Sequence, residues 1–146
     1  MIRTVNSILI KADMNRVFSV AADMEKYPEF IPSYKEVKVV SREGNKMIVE
    51  RIGQVGKKAV KWKSCVTIEP NKSIKAEQLE GPIKGMQIQW LFENTKDGVQ
   101  ITLTHDFEYK KIPLIGNLIG KLIVARIVKK MAEETLKGIK GRAEGK

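Results

Sequence analysis

Alternation of apolar and polar side chains runs through about 75 residues of this 146-residue chain and limits its possible folds more than any other feature. The run begins after Pro32, and short turn signals divide it into six predicted strands, at residues 34–41, 47–55, 59–69, 73–80, 85–94 and 99–110. A parallel crossover does not fit into connections this short, so consecutive strands must be antiparallel neighbours. With a further alternating segment at residues 3–11, the pattern predicts a seven-stranded antiparallel sheet, wide enough to curl.

Two short helices are predicted between the first strand and the meander. Asp13 is placed to cap the first helix, since its side chain stands just before apolar residues at helical spacing. Residues 24–30 suggest the second, which Pro28 and Pro32 keep short because proline lacks a backbone donor.

A long helix is predicted at the C-terminal end, where period 3.6 replaces period two after Pro113 and continues to Ile139. Such a helix, about 25 residues long, does not form a layer of its own, and we expect it to cross the concave face of the sheet. The elements together predict an α+β protein that forms a single domain over residues 1–146.

The chain is strongly basic, with 27 Lys and Arg against 17 Asp and Glu and a formal net charge of +10. This charge favours anionic partners such as nucleic acid, ribosomes or acidic lipid headgroups. Lys and Glu alternate through most of the chain, however, as on an ordinary solvated surface, and only residues 121–146 hold a concentrated basic run.

Three features bear on the compartment. Cys65 is the only cysteine, so an intrachain disulfide is impossible and a reducing interior is expected. The N-terminus lacks the apolar core of a signal peptide, and the apolar stretch at residues 112–128 is broken by charged residues. The sequence predicts a soluble, cytoplasmic protein, with peripheral membrane contact as an extension of that prediction.

The predicted inward faces are apolar and carry both tryptophans and a single histidine. A strongly curled sheet that grips a helix leaves an interior gap lined by apolar side chains, which is typical of small-molecule sites. A filled core is the alternative, since stripes of aromatic residues and methionine are usually core. The residues predicted to line a ligand cavity are Phe30, Trp62, Ser64, Met86, Ile88, Trp90, Phe92, Ile101, Leu103, His105, Phe107, Leu118 and Leu122.

The order of elements and three local strings resemble a known family. The strings are VAADMEKYPEFIP at residues 20–32, EGPIKGM at 80–86 and WLFE at 90–93. They resemble the START/polyketide cyclase (SRPBCC) superfamily, in its coenzyme Q-binding and polyketide cyclase/dehydrase branch. The resemblance implies the helix-grip fold and a hydrophobic tunnel for a lipophilic ligand, typically a quinone, isoprenoid or polyketide-like ring system. It favours a cavity over a filled core, while the Tyr27-Pro28 pair is predicted to be structural.

The interior polar residues decide between an enzyme and a carrier. His105 is interpreted either as a hydrogen-bond donor or general acid/base toward a ligand, or as a satisfied core residue. Ser64 and Arg51 are the other candidates, although the alternation around Arg51 is ambiguous. No nucleophile triad, paired carboxylates, metal cluster or dinucleotide motif occurs, so neither metal nor cofactor is predicted. The sequence favours a carrier or chaperone, with a polyketide-type cyclase or dehydrase as the alternative.

The first half of the last helix is apolar nearly all round, which suggests a gate. Ile115, Ile119 and Ile123 are predicted to contact membrane lipid, with Lys121 and Arg126 near anionic headgroups. The alternative is that these residues pack against the turn at 28–32. The rival class is a ribosome- or RNA-associating protein, which the charge would suit but for which no stacking motif is present.

Overall fold

The computed structural model describes residues 1–108 and 117–145 of the chain, with side chains from residue 120 in the second segment. Strand β1 (Ile2–Ile10) is followed by helix α1 (Met14–Ala22) and a short 3-10 helix (Met24–Glu29). Six strands and a long helix follow in chain order: β2 (Tyr34–Glu43), β3 (Lys46–Val55), β4 (Lys58–Glu69), β5 (Ser73–Glu80), β6 (Gln87–Thr95), β7 (Gly98–Phe107) and α2 (Asn117–Ala143).

The seven strands form one antiparallel sheet in the order β1-β7-β6-β5-β4-β3-β2. This confirms the predicted meander, with the N-terminal strand added beside the last one. The sheet bends where register shifts interrupt β2, after Tyr34 and after Val39, and where β4 shifts against β5 between Lys63 and Ser64. The result is the helix-grip fold, an open curved sheet with a long helix across it.

Several strand boundaries differ from the prediction by one or two residues, and the start of β6 has a clear physical reason. The strand expected from residue 85 begins at Gln87, because residues 81–86 form a turn. Gly81 and Gly85 both have positive φ there, and the Met86 amide donates to the Ile83 carbonyl at 3.0 Å. Strand β7 ends at Phe107, and Glu108, which was predicted to continue it, is not part of the strand. The rest of the predicted end, residues 109–110, lies outside the described residues.

The short helices follow local rules. The Asp13 carboxylate accepts a hydrogen bond from the Arg16 amide at 2.9 Å, which confirms the predicted cap of α1. In the 3-10 helix the buried Tyr27 hydroxyl donates to the Ala21 carbonyl and ties the two helices together. The motif around Pro28 therefore has a structural role, and Tyr27 also reaches the cavity described below.

Helix α2 is anchored at its C-terminal half to strand β1 and to the end of the 3-10 helix. Lys140 donates to the Leu9 carbonyl at 2.8 Å, and Arg142 forms an ion pair with Glu29 at 3.0 Å. The Arg142 guanidinium also lies 5.1 Å from the centroid of the Phe30 ring. Leu136 and Ile139 are buried beneath these contacts, so this half of the helix closes the core.

Candidate ligand cavity

A cavity of about 500 Å³ lies between the concave face of the sheet and helix α2. Strands β3 to β7 supply one wall, and residues 124–135 of α2 supply the other. Pro82 and Glu108 belong to the lining and are exposed, so among the described residues the cavity is open toward the end of the molecule that holds the β5–β6 turn. A space of this size accommodates a drug-sized small molecule.

Seven of the residues predicted from the sequence lie together on this cavity wall. They are Trp62, Met86, Ile88, Trp90, Leu103, His105 and Phe107. The strand register explains the grouping, since Trp90 is directly opposite Leu103 and Ile88 directly opposite His105. Whether these residues bind a ligand stays a prediction.

Five predicted residues with described side chains do not line the cavity, namely Phe30, Ser64, Phe92, Ile101 and, on helix α2, Leu122. Phe92 and Ile101 are opposite each other one step further along β6 and β7, where Phe92 packs on Phe18 at 4.7 Å between ring centroids. They belong to the filled core under α1 because α1 covers that end of the sheet. Phe30 packs beside Gly138 and Arg142 instead, and Ser64 is fully buried behind the cavity wall.

Helix α2 is turned differently from the prediction. Leu122 is 59% exposed, while Val124, Ile127, Val128 and Met131 face the cavity. Apolar residues surround this half of the helix, so the sequence did not show which side would face inward. Of the predicted gate residues, Lys121, Ile123 and Arg126 are exposed on the outer side. Ile115 and the side chains of Leu118 and Ile119 lie outside the described residues.

Arg51 is the most unusual group in the cavity. It is only 7% exposed because β3 alternates with Met47, Val49, Arg51 and Gly53 on the inward face. One terminal nitrogen, Nη1, donates to the Ser64 hydroxyl, and Nη2 lies 3.2 Å from the Met24 sulfur. The Nε atom is buried without a hydrogen-bond partner, and no carboxylate in the described part of the chain forms an ion pair with this guanidinium.

His105 is the second polar group on the wall, across the cavity from β3. Burial lowers its pKa from 6.5 to about 4, although the neighbouring Asp106 carboxylate favours the charged form. The imidazole is therefore neutral at physiological pH. Asp106 itself points to the outer face and pairs with Arg3 through two hydrogen bonds, at 2.6 and 2.9 Å. The Nδ1 atom of His105 is buried and has no partner in the structure described.

Further polar side chains complete the lining. Gln78 is buried and accepts a hydrogen bond from the Ile83 amide at 2.8 Å. Thr135 donates to the Met131 carbonyl at 2.8 Å, so its hydroxyl is partly occupied within the helix. Burial raises the pKa of Tyr27, which keeps its hydroxyl protonated. The sequence did not predict Gln78, Thr135 and Tyr34 as lining residues. Gln78 and Tyr34 could have been found from their inward positions in their strands, whereas no sequence signal pointed to Thr135.

Aromatic rings form one end of the cavity wall. Tyr34 lies 5.4 Å from Tyr27 and 6.0 Å from Trp62, as measured between ring centroids. Gly53 makes this packing possible, because a Cβ there would come within 2.6 Å of the Trp62 ring. This end of the cavity therefore offers flat ring faces for stacking.

The described residues contain no group of three side chains able to hold a metal ion. No helix in the described part of the chain is long and apolar enough to cross a membrane.

Comparison with known proteins shows to which family this architecture belongs. Residues 10–134 match the family described as "Polyketide cyclase / dehydrase and lipid transport". The chain belongs to this family. A relative within it is a putative polyketide cyclase from Streptomyces cyaneus, 32% identical over 111 residues that cover 73% of each chain.

Solved structures show the same fold at lower sequence identity. The Zhui aromatase/cyclase from a Streptomyces species superposes with a TM-score of 0.90 at 20% identity, over 98% of this chain and 93% of that one. A STAR-related lipid transfer protein from Xanthomonas axonopodis superposes with a TM-score of 0.76 at 15% identity, over 97% and 85%. The same fold thus occurs in proteins named as an aromatase/cyclase and as a lipid transfer protein.

Proposed function

We propose that the cavity binds an elongated lipophilic molecule that carries oxygen groups, of the polyketide or quinone class. The observation that carries the proposal is the buried guanidinium of Arg51. Removing a charge from water costs several kcal/mol unless partners replace the lost hydration. Arg51 has a serine hydroxyl and a thioether as partners and lines the cavity with an unpaired Nε. A carbonyl, enolate or phenolate oxygen of a ligand would supply the missing acceptor.

The position of His105 limits the shape of the ligand. Arg51 is on β3 and His105 is on β7, four strand spacings apart in the sheet. At about 4.8 Å per spacing, their backbones are separated by about 19 Å along the curved sheet. A ligand that reached both groups would extend over several rings or an equivalent chain, with oxygen atoms toward both ends. The aromatic rings beside Arg51 would stack on its flat portion.

Tryptophan fluorescence tests this proposal, because Trp62 and Trp90 both line the cavity and are the only two tryptophans. A hydroxylated anthraquinone serves as the oxygenated probe, and anthracene as the probe without oxygen. Replacement Arg51→Met should weaken binding of the anthraquinone about tenfold or more, the loss expected for a hydrogen bond to a charged group. Anthracene binding should stay unchanged.

The exposed Arg42→Met provides the matched control, since it removes the same charge outside the cavity. If each probe quenches Arg51→Met as strongly as it quenches wild type, the result would contradict a role for Arg51 in ligand binding. No quenching of wild type by either probe would contradict the cavity proposal itself.

A second candidate function is cyclisation of a polyketone, which the neutral state of His105 favours. A neutral imidazole takes a proton from the carbon between two ketones, and the enolate carbon then attacks another carbonyl of the same molecule. A carbon–carbon bond forms, the alkoxide recovers the proton from the imidazolium, and loss of water leaves a double bond. The sequence of steps is redox-neutral. Arg51 would hold a carbonyl at the far end of the chain.

Incubation with a linear polyketone separates the two candidates. A cyclase forms a cyclised product faster than the buffer does, and His105→Gln loses that acceleration while still binding the anthraquinone. A carrier binds the polyketone without changing the rate. The names of the Streptomyces relatives support the cyclase, and the lipid transfer neighbour supports the carrier.

Membrane contact by the outer side of α2 extends the carrier function. Leu122 and Ile123 are 59% and 47% exposed, and the basic residues Lys121, Arg126 and Lys129 are exposed beside them. Exposed apolar side chains flanked by Lys and Arg suit an anionic lipid surface. Sedimentation with liposomes should increase with phosphatidylglycerol content and fall in a Leu122→Ser, Ile123→Ser double variant. Equal sedimentation at all lipid compositions would contradict this contact.

The ribosome or RNA alternative stays a prediction. Its test is co-sedimentation with ribosomes that decreases as the salt concentration rises.

A further inference from the structure

A small group of polar atoms lies between β1, β7 and helix α2, beside the part of the cavity wall that His105 forms. Thr4 on β1 is directly opposite His105 on β7 in the sheet register. Asn6 is two residues further along β1 and so shares the same inward face. The Asn6 side-chain amide donates to the Lys129 carbonyl of α2 at 3.2 Å, which places this group under the helix.

Each of these three side chains carries a buried polar atom without a partner in the part of the chain described. The atoms are Thr4 Oγ1, Asn6 Oδ1 and His105 Nδ1. Thr4 is only 7% exposed. Buried polar atoms are satisfied in more than nine cases of ten, so three orphans on adjacent positions call for a shared explanation. A single unpaired polar atom elsewhere in the sheet would not call for such a shared explanation.

The spacing of the strands allows one small molecule to reach all three atoms. Opposite residues in an antiparallel pair have Cβ atoms about 5 Å apart, and diagonal neighbours are about 7–8 Å apart. These values suit a single water that lies between Thr4, Asn6 and His105 and forms three hydrogen bonds.

We propose that Thr4 is a positioning residue for His105, and that a buried water held by Thr4 Oγ1 and Asn6 Oδ1 accepts the Nδ1–H of the imidazole. The hydrogen-bond inventory limits the directions. Asn6 Oδ1 only accepts, so the water donates one hydrogen to it. In the proposed arrangement the other hydrogen goes to Thr4 Oγ1. The water then has lone pairs left for a donor, and Nδ1–H is that donor. If the Thr4 hydroxyl donated to the water instead, Nδ1 would accept that hydrogen and Nε2 would carry the ring proton, and the tautomer experiment below separates the two arrangements.

The consequence concerns the other ring nitrogen. When Nδ1 carries the proton, Nε2 has a free lone pair and serves as the acceptor or base of the ring. The tautomer gives His105 a defined base in the cyclisation candidate described above. Only this catalytic role of Nε2 rests on that candidate. The tautomer itself is a property of the unliganded protein.

Few charged groups lie near enough to compete with this water. Asp106 follows His105 on the outer face and is paired with Arg3. Glu108 is exposed at the cavity mouth, and Arg51 is on the far side of the sheet. On the described part of α2, the residues that line the cavity are apolar or neutral, namely Val124, Ile127, Val128, Met131, Ala132 and Thr135.

Nitrogen-15 NMR of histidine-labelled protein tests the proposal directly, because His105 is the only histidine and gives one pair of ring signals. Wild type at neutral pH should show the tautomer protonated at Nδ1, in excess of about tenfold over the other form. Thr4→Val keeps the shape of the side chain and removes the hydroxyl, and it should reduce this excess to less than about threefold. Thr4→Ser should restore it.

Thr102→Val is the matched control, since Thr102 lies on the outer face of β7 and its replacement should leave the ring signals unchanged. A wild-type spectrum dominated by the Nε2-protonated tautomer would overturn the proposal, and this holds even if Thr4→Val fails to fold. Unaltered signals in a folded Thr4→Val variant would overturn it as well. Failure of the ligand or cyclisation assays would leave these spectra as predicted, so the two proposals fail separately.

Discussion

Arg51 and His105 show two opposite responses of a basic side chain to burial. The guanidinium keeps its charge in almost any protein environment and must therefore find acceptors. The imidazole loses its proton instead, and its pKa falls to about 4. One cavity thus combines a fixed cation with a neutral ring, and both groups still have an unpaired nitrogen.

The lowered pKa of His105 predicts a specific loss of stability in mild acid. The unfolded state takes up a proton near pH 6.5 while the folded state takes it up near pH 4, so the unfolded state binds more protons between these values. The free energy of unfolding should therefore fall as the pH drops from 6.5 to 4, by up to about 3 kcal/mol from this residue. Urea denaturation at several pH values measures it.

His105→Gln supplies the comparison, because a neutral side chain cannot take up the proton. Its stability should fall less than that of wild type across the same interval. Glu29 and Asp106 have lowered pKa values through their arginine partners, so their own loss of stability in acid is present in both proteins. Parallel profiles for wild type and variant would contradict the burial of a neutral imidazole.

At the scale of elements, helix α2 packs closely on the turn after the 3-10 helix. A Cβ on Gly138 would lie 2.7 Å from the Ile31 Cγ1 atom and 2.9 Å from the Phe30 carbonyl oxygen. A glycine inside a helix costs about 1 kcal/mol relative to alanine. The close approach of the helix to the turn is the physical reason for this residue.

We therefore expect replacement by alanine to have opposite effects on stability at two glycines of α2. Gly138→Ala should destabilise the protein, since the Phe30 backbone cannot move away as a flexible side chain would. Gly141→Ala should stabilise it by about 0.5–1 kcal/mol, because nothing lies within 4 Å of the added Cβ and helix propensity alone acts. Thermal denaturation of both variants decides, and stabilisation by Gly138→Ala would show that the helix lies further from the turn.

Most of the elements could be predicted from the sequence because their patterns are local. Alternation gave every strand of the sheet, and Asp13 gave the start of α1. The orientation of α2 could not be predicted, because its first half is apolar on all sides and the choice depends on how the curved sheet receives it. Arg51 was ambiguous for a similar reason, since a charged residue within an apolar alternation is expected outside unless the interior contains a polar site.

The candidate site could likewise be predicted where local patterns determine it, but not where packing between elements does. The inward faces of β4, β6 and β7, with Met86 just before β6, identified seven residues of the cavity wall, including both tryptophans. Phe92 and Ile101 share these faces and yet belong to the core, because α1 covers their end of the sheet. Periodicity shows which side of a strand faces inward but not which part of the interior is filled.

At the scale of the whole molecule, the fold leaves unfilled space where most proteins of this size have packed side chains. Interiors usually reach the packing density of organic crystals, and empty apolar volume costs stability. The curved sheet and the straight helix separate around residues 124–135, while the C-terminal half of α2 packs closely on the core. Stability is therefore concentrated at one end and the cavity at the other.

Filling the cavity with a larger side chain tests this division. Ala76 lies on the floor of the cavity in β5, so Ala76→Phe would place a ring in space that the structure leaves open. The added apolar contact should keep or raise the melting temperature, while binding of the anthraquinone should weaken more than about tenfold because the ring competes for the same volume. The exposed Ala59→Phe on β4 serves as the control and should leave binding unchanged. In a filled core the same Ala76→Phe substitution would overpack the interior and destabilise the protein by about 1–3 kcal/mol, so a lowered melting temperature would contradict the open cavity on which ligand binding depends.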